Sequence, residues 1–232
     1  MARLPRLHAT GFAQLISMQL LNQPSLSSNS PPSHYRDLCV WLGLAATREG
    51  VSLHGWAITP QKILLLATPM HEKSIPSLVQ SVGRNLAAQL KTGRVFSGRY
   101  RSTIPQPGVW VLPSLIWLER EPLRAGLTTD VEAWPWSSAQ AHTGSAGTPP
   151  AWLHPHPDYW ACGNTPFDRQ AVYRERLNEG GSRAIEKQIE SCLHGQWGLG
   201  DSAFLSELGK MTHRRVSPAP RGRPRKASAE SS

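Results

Sequence analysis

The chain has 232 residues, enough to bury a core without help from disulfides or metal, and 25 Lys plus Arg against 16 Asp plus Glu give it a net charge of +9. Its three cysteines, Cys39, Cys162 and Cys192, are widely spaced with no CxxC pair, which argues against a disulfide framework or a zinc site and fits a reducing, cytoplasmic setting. No stretch approaches the ~20 apolar residues of a membrane span, and the N-terminus, with Arg3 and Arg6, lacks the apolar core of a signal peptide, so a soluble protein with no membrane partner is expected.

In chain order, FAQLISMQLL (Phe12 to Leu21) alternates as a first strand, and the Pro/Ser-rich SLSSNSPPS reads as a loop. Tyr35, Leu38, Cys39, Leu42, Ala45 and Ala46 recur at helical spacing, predicting a helix over 33–48 that Gly50 stops. VSLHGWAIT predicts a second strand, and KILLLATP returns antiparallel to it after Pro60-Gln61, making a hairpin. Ile75, Leu78, Val79, Val82, Leu86 and Leu90 form one helical stripe. GRVFSGRYRSTIPQ is read as a short strand pair. The order strand, helix, strand, strand, helix, strand is the split βαβ pattern of a ferredoxin-like α+β fold.

A third helix is expected around Pro113 to Arg120, ending at Glu121-Pro122. From Trp134 the composition turns to Trp, Pro, His and Gly, and helical segments follow near 167–178, 181–193 and 201–210. This divides the chain into a domain over 1–145, a loop-rich and then helical extension over 146–212, and a basic, disordered tail over 213–232. From Lys210 onward there are seven basic residues and one acid, Glu230, so this end carries most of the net charge. Such a segment attracts polyanions by releasing their counterions, nucleic acid being the usual one; a merely solubilising tail is the alternative.

MARLPRL, LHGWAITP, LLLATP, FSGRYRS, EPLRAGL, WPWSSAQAH and RGRPRK, in that order and spacing, resemble the REP-associated tyrosine transposases, a branch of the single-tyrosine HUH transposases, over nearly the whole chain. In that family the hairpin turn leads into two histidines two residues apart, which share a strand face and hold a divalent metal such as magnesium or manganese against the scissile phosphate. The matching positions are Lys62 and Leu64: an ammonium has no lone pair for a metal, and leucine has no ligand atom. The family's nucleophilic tyrosine, which forms a phosphotyrosine with the cleaved strand, matches Trp117, whose indole cannot form the ester. Pro113, four residues earlier, is expected to restart the helix and re-aim whatever it carries.

The resemblance therefore implies a degenerate, catalytically inactive, transposase-like DNA-binding protein with no metal or other cofactor. Its partner is single-stranded or hairpin DNA, and a homodimer is allowed. Arg84, Arg99, Arg101, Arg124, Arg214, Arg215, Arg221, Arg223, Arg225 and Lys226 are the candidate DNA contacts. RGRPRK reads either as a single AT-hook or as a plain flexible basic end. Trp110, Trp117, Trp134 and Trp136 are core residues first and stacking surfaces second. His154-Pro-His156 copies the H-x-H spacing, but its prolines place it in an extended loop, and His54 reads as a packed histidine. Two rivals stay open. One is an active DNA-strand transferase with a substitute nucleophile, Tyr100 being the nearest tyrosine and Glu121 the nearest acid; the other is a decayed reading frame without selected function.

Overall fold

Alternation along β1 (Gln14–Gln19), β2 (Val51–Ile58) and β3 (Lys62–Pro69) buries both faces of these strands, so a helical layer is needed on each side. The computed structural model describes residues 5–21 and 33–219, and in it that requirement is met. The remaining elements are α1 (Ser33–Arg48), α2 (Ser74–Gln89), β4 (Arg101–Pro105), α3 (Val111–Glu119), α4 (Glu121–Arg124), α5 (Ala139–Thr143), α6 (Pro157–Trp160), α7 (Pro166–Glu179), α8 (Arg183–Gly195), β5 (Gly198–Leu199) and α9 (Ser202–Met211). The sheet order is β2-β3-β1-β4-β5. The first four strands are antiparallel neighbours in the ferredoxin-like arrangement, and β5 adds a parallel two-residue edge.

Ile63, Leu65 and Ala67 of β3 enter one core with Leu38 and Leu42 of α1 and Leu78 and Val82 of α2. Leu64 and Leu66 point the other way, into a second core with Leu115 and Trp117 of α3, Tyr173 of α7 and Ile189 of α8. The helical extension thus roofs the face of the sheet from which position 64 projects. A smaller core joins Leu7 and Ile104 to Leu208 of α9 and to Val216.

The structure corrects three expectations. The strand pair over GRVFSGRYRSTIPQ is a single strand, β4, preceded by one isolated bridge between Leu20 and Phe96. The Arg94 guanidinium turns onto the Phe96 and Ser97 carbonyls, taking acceptors that a second ladder would use. Pro113 does not restart α3, which begins at Val111. Proline in the first turn lacks only an N–H that has no intrahelical acceptor, so α3 runs through it. Residues 213–219 fold back: Arg214 donates to the Pro5 carbonyl at 2.7 Å and Val216 is buried. Arg221, Arg223, Arg225 and Lys226 lie outside the described residues.

Candidate functional site

Lys62 opens β3 and Leu64 follows two residues later, so both project from the face covered by α3 and α8. Lys62 Nζ lies 2.7 Å from Glu121 Oε1, and Arg124 Nη2 donates to Glu121 Oε2, also at 2.7 Å. The Arg124 guanidinium sits 4.4 Å from the Trp117 ring centroid. Leu64 is fully buried in the same core as Trp117. The structure therefore brings together all three positions singled out by the motif match, with Glu121 between them. A divalent metal does not fit this set of side chains. Lys62 is a cation, Leu64 is a hydrocarbon, both oxygens of Glu121 are held by cations, and Glu186 lies on the Arg124 guanidinium, 4.0 Å from Nη1. Arg124, a candidate DNA contact in the sequence, is committed to Glu121 and Trp117 and does not line the clefts described below.

Beside this cluster lies a network that the sequence reading missed. Glu119 is fully buried on α3; its Oε1 accepts from Ser138 Oγ at 2.5 Å and from His142 Nδ1 at 2.6 Å, and its Oε2 accepts from Tyr173 Oη at 2.6 Å. Tyr159 Oη donates to the His142 carbonyl at 2.7 Å. Burial, with Glu119 adding to it, pushes the Tyr173 phenol well above its ordinary value. Ser138 also clamps the edge of β2, accepting from the Trp56 N–H at 2.9 Å through Oγ while its own N–H donates to the Trp56 carbonyl at 2.9 Å. The network thus ties α3, the residues after Trp134, and α7 to the sheet. Two signals in the sequence could have revealed it: Glu119 continues the Leu115 stripe at i+4, and Ser138 and His142 in WPWSSAQAH are also four apart. Gly55 belongs to the same joint, because a Cβ there would come within 2.3 Å of Leu115 Cδ1, so α3 can lie on β2 only where that strand has no side chain.

His54 occupies an irregularity in the β2–β3 register. It donates from Nδ1 to the His154 carbonyl at 2.6 Å and accepts at Nε2 from Thr68 Oγ1 at 2.8 Å. Burial lowers its pKa to about 4, so the ring is held neutral. His156 is spent on capping α6, accepting from the Asp158 N–H at 3.1 Å. Among the described residues, no group of three or more His, Cys, Asp or Glu side chains is placed to hold a metal ion. Trp134 and Trp136 pack against the α1/α2 core and Trp110 against the opposite one.

The charged surface lies elsewhere. A cleft of about 650 Å³ runs between α2 and residues 93–100, lined by Lys73, Arg84, Arg94 and Arg99 with Arg6 at one end and no acidic side chain. Phe96 forms part of its wall, its ring resting on Gly83, where a Cβ would approach within 2.8 Å. A second cleft shares Arg99 and adds Arg101 and Arg214, again without an acid. Tyr100 borders both; it is buried, with the Arg6 guanidinium 4.0 Å from its ring centroid. Four of the candidate arginines, Arg84, Arg99, Arg101 and Arg214, therefore converge on this side, and Arg215 is exposed beside them in sequence. Arg6, Lys73 and Arg94 were missed. The signal for Lys73 was a polar stripe, Lys73, Ser77, Gln80 and Arg84, opposite the apolar stripe of α2.

No protein-family model matches the sequence, and no curated protein sequence matches it. Among solved structures, the fold is similar to that of a REP-associated tyrosine transposase bound to a REP hairpin. That match has a TM-score of 0.54 at 14% identity and covers 67% of this chain and 93% of the other. A Deinococcus radiodurans protein provisionally assigned as a transposase matches with a TM-score of 0.36 at 15% identity, over 56% of this chain and 96% of its own. At 14% identity the first likeness is one of fold, and it agrees with the fold expected from the motifs. Among the described residues no helix is long and apolar enough to cross a membrane.

Proposed function

We propose that this chain is a transposase-like protein that binds single-stranded or hairpin DNA and does not cut it. The observation that carries the reading is the Lys62–Glu121–Arg124 cluster over a buried Leu64. Where the motif match puts a metal-binding pair, the side chains form an ion pair and an apolar core; where it puts a tyrosine, they supply an indole. The hairpin bound by the similar transposase supports hairpin DNA as the partner. The acid-free basic clefts support a polyanion of that kind.

Nothing in the geometry favours the substitute-nucleophile rival. Tyr100 is buried beneath the Arg6 guanidinium, and burial raises its phenol above the ordinary value, the opposite of what a phenolate nucleophile needs. Glu121 is already held by two cations. The test is a comparison of affinities at one salt concentration for a hairpin strand and an unrelated unstructured strand of equal length. Tighter binding of the hairpin is expected; equal binding would reduce the chain to a non-specific basic protein.

A further inference from the structure

We infer that the cleft between α2 and residues 93–100 is the track for the phosphodiester backbone of an unpaired DNA strand, on the sheet face opposite the Lys62–Trp117 cluster. The inference rests on the DNA-binding reading and adds where the strand lies. Its first support is the state of the cations. Lys73, Arg84 and Arg99 have no carboxylate within ion-pair distance among the described residues; Arg183 and Lys187 of α8 share that state, but the cleft cations are gathered on one wall. The wall itself carries no acid, Glu72 lining the adjoining cleft that shares Arg6, Lys73 and Arg99; like charges gathered there repel one another, and a polyanion relieves that repulsion.

The second support is position. The face of the sheet that carries Leu64 is packed under α3, α7 and α8, with Leu64 itself fully buried. On the other face α1 and α2 cover the sheet, but the gap between α2 and residues 93–100 is a cleft that continues through Arg99 into the second one, lined by Arg101 and Arg214. The third support is the wall chemistry. A positively charged groove that follows the backbone, with an aromatic ring beside it, is how unpaired strands are held, and Phe96 supplies a half-buried ring on the floor of Gly83. A free nucleotide would offer the same phosphate chemistry, so the test separates the two.

The experiment uses the full chain and measures the affinity for a labelled unstructured strand over a range of salt. The variant is Lys73→Gln/Arg84→Gln/Arg99→Gln, three exposed side chains outside any ion pair, and its melting temperature should match that of the parent. The slope of log affinity against log salt should fall by about 2, since each lost phosphate contact removes roughly 0.7 for a single strand. Arg84→Gln alone should remove about 0.7. Arg183→Gln/Lys187→Gln, on the far end of α8, should leave the slope unchanged. A slope in the triple variant equal to the parent's would overturn the cleft while leaving DNA binding intact. A parent chain that binds no DNA would overturn both. Displacement of the strand by a mononucleotide at matched phosphate concentration would reassign the cleft to free nucleotides.

Discussion

Leu64 and Glu121 lie at the centre of the candidate site, one as a hydrocarbon without exposure and the other as a carboxylate between two cations. Leu64→Asp places an unpaired carboxylate among Leu115, Trp117 and Ile189, and should cost about 3 kcal/mol or more, read as a drop in the urea midpoint. An unchanged midpoint would contradict the placement of β3. His54 gives a pH test. Its folded pKa, about 4, lies below the ordinary 6.5, so the unfolded chain takes up the proton first as pH falls. Stability from this residue is intact above about 6.5 and is lost between there and about 4, by roughly 3 kcal/mol. His54→Gln should flatten that part of the melting-temperature profile relative to the parent. The spacing of KILLL told which side chains share a face, because strand period is fixed. It could not tell that Lys62 would find Glu121, because that pairing depends on how α4 returns to the hairpin.

At the scale of elements, the helices most legible in the sequence were those with a long apolar stripe. The first was expected at 33–48 and is found at Ser33–Arg48, and the stripe from Ile75 to Leu90 corresponds to Ser74–Gln89. The segment before β4 was misread because its alternation ends in a Ser-Gly turn and an arginine takes its carbonyls. The buried network was illegible for another reason: glutamate, serine and histidine on short helices read as solvated until the partner helix is known. Its role is to fasten α7 over the sheet. Tyr173→Phe deletes one charge-assisted hydrogen bond to Glu119 and should cost about 1.5–3 kcal/mol in urea unfolding. Affinity for DNA should be unaffected where the variant is folded, because Tyr173 lies on the face opposite the basic cleft.

For the whole molecule, the sheet is closed at both edges. On the outer side of β2, Trp136, Ser138 and His154 take up backbone groups of Ile58, Trp56 and Leu53; at the other edge the Gly198 N–H donates to Val216. Extension of the sheet by another chain is therefore blocked at these positions. The α3, α7 and α8 layer covers one face and α1 and α2 cover the other; the main basic cleft lies beside α2, so the sheet separates it from the Lys62–Glu121–Arg124 cluster. Under the proposed function, this separation lets a strand bind without reaching the Lys62–Glu121–Arg124 cluster. Trp117→Tyr puts a phenol beside Arg124 with Lys62 and Leu64 unchanged, and should give no covalent adduct with a labelled hairpin strand on a denaturing gel.

The most direct measurement is one incubation of the unmodified chain with a labelled hairpin strand and magnesium or manganese, divided between a native and a denaturing gel. A retarded complex is expected on the native gel and, on the denaturing gel, a strand of full length running free of protein. A labelled strand migrating with the denatured chain, or a shortened product that depends on the metal, would contradict the proposed function.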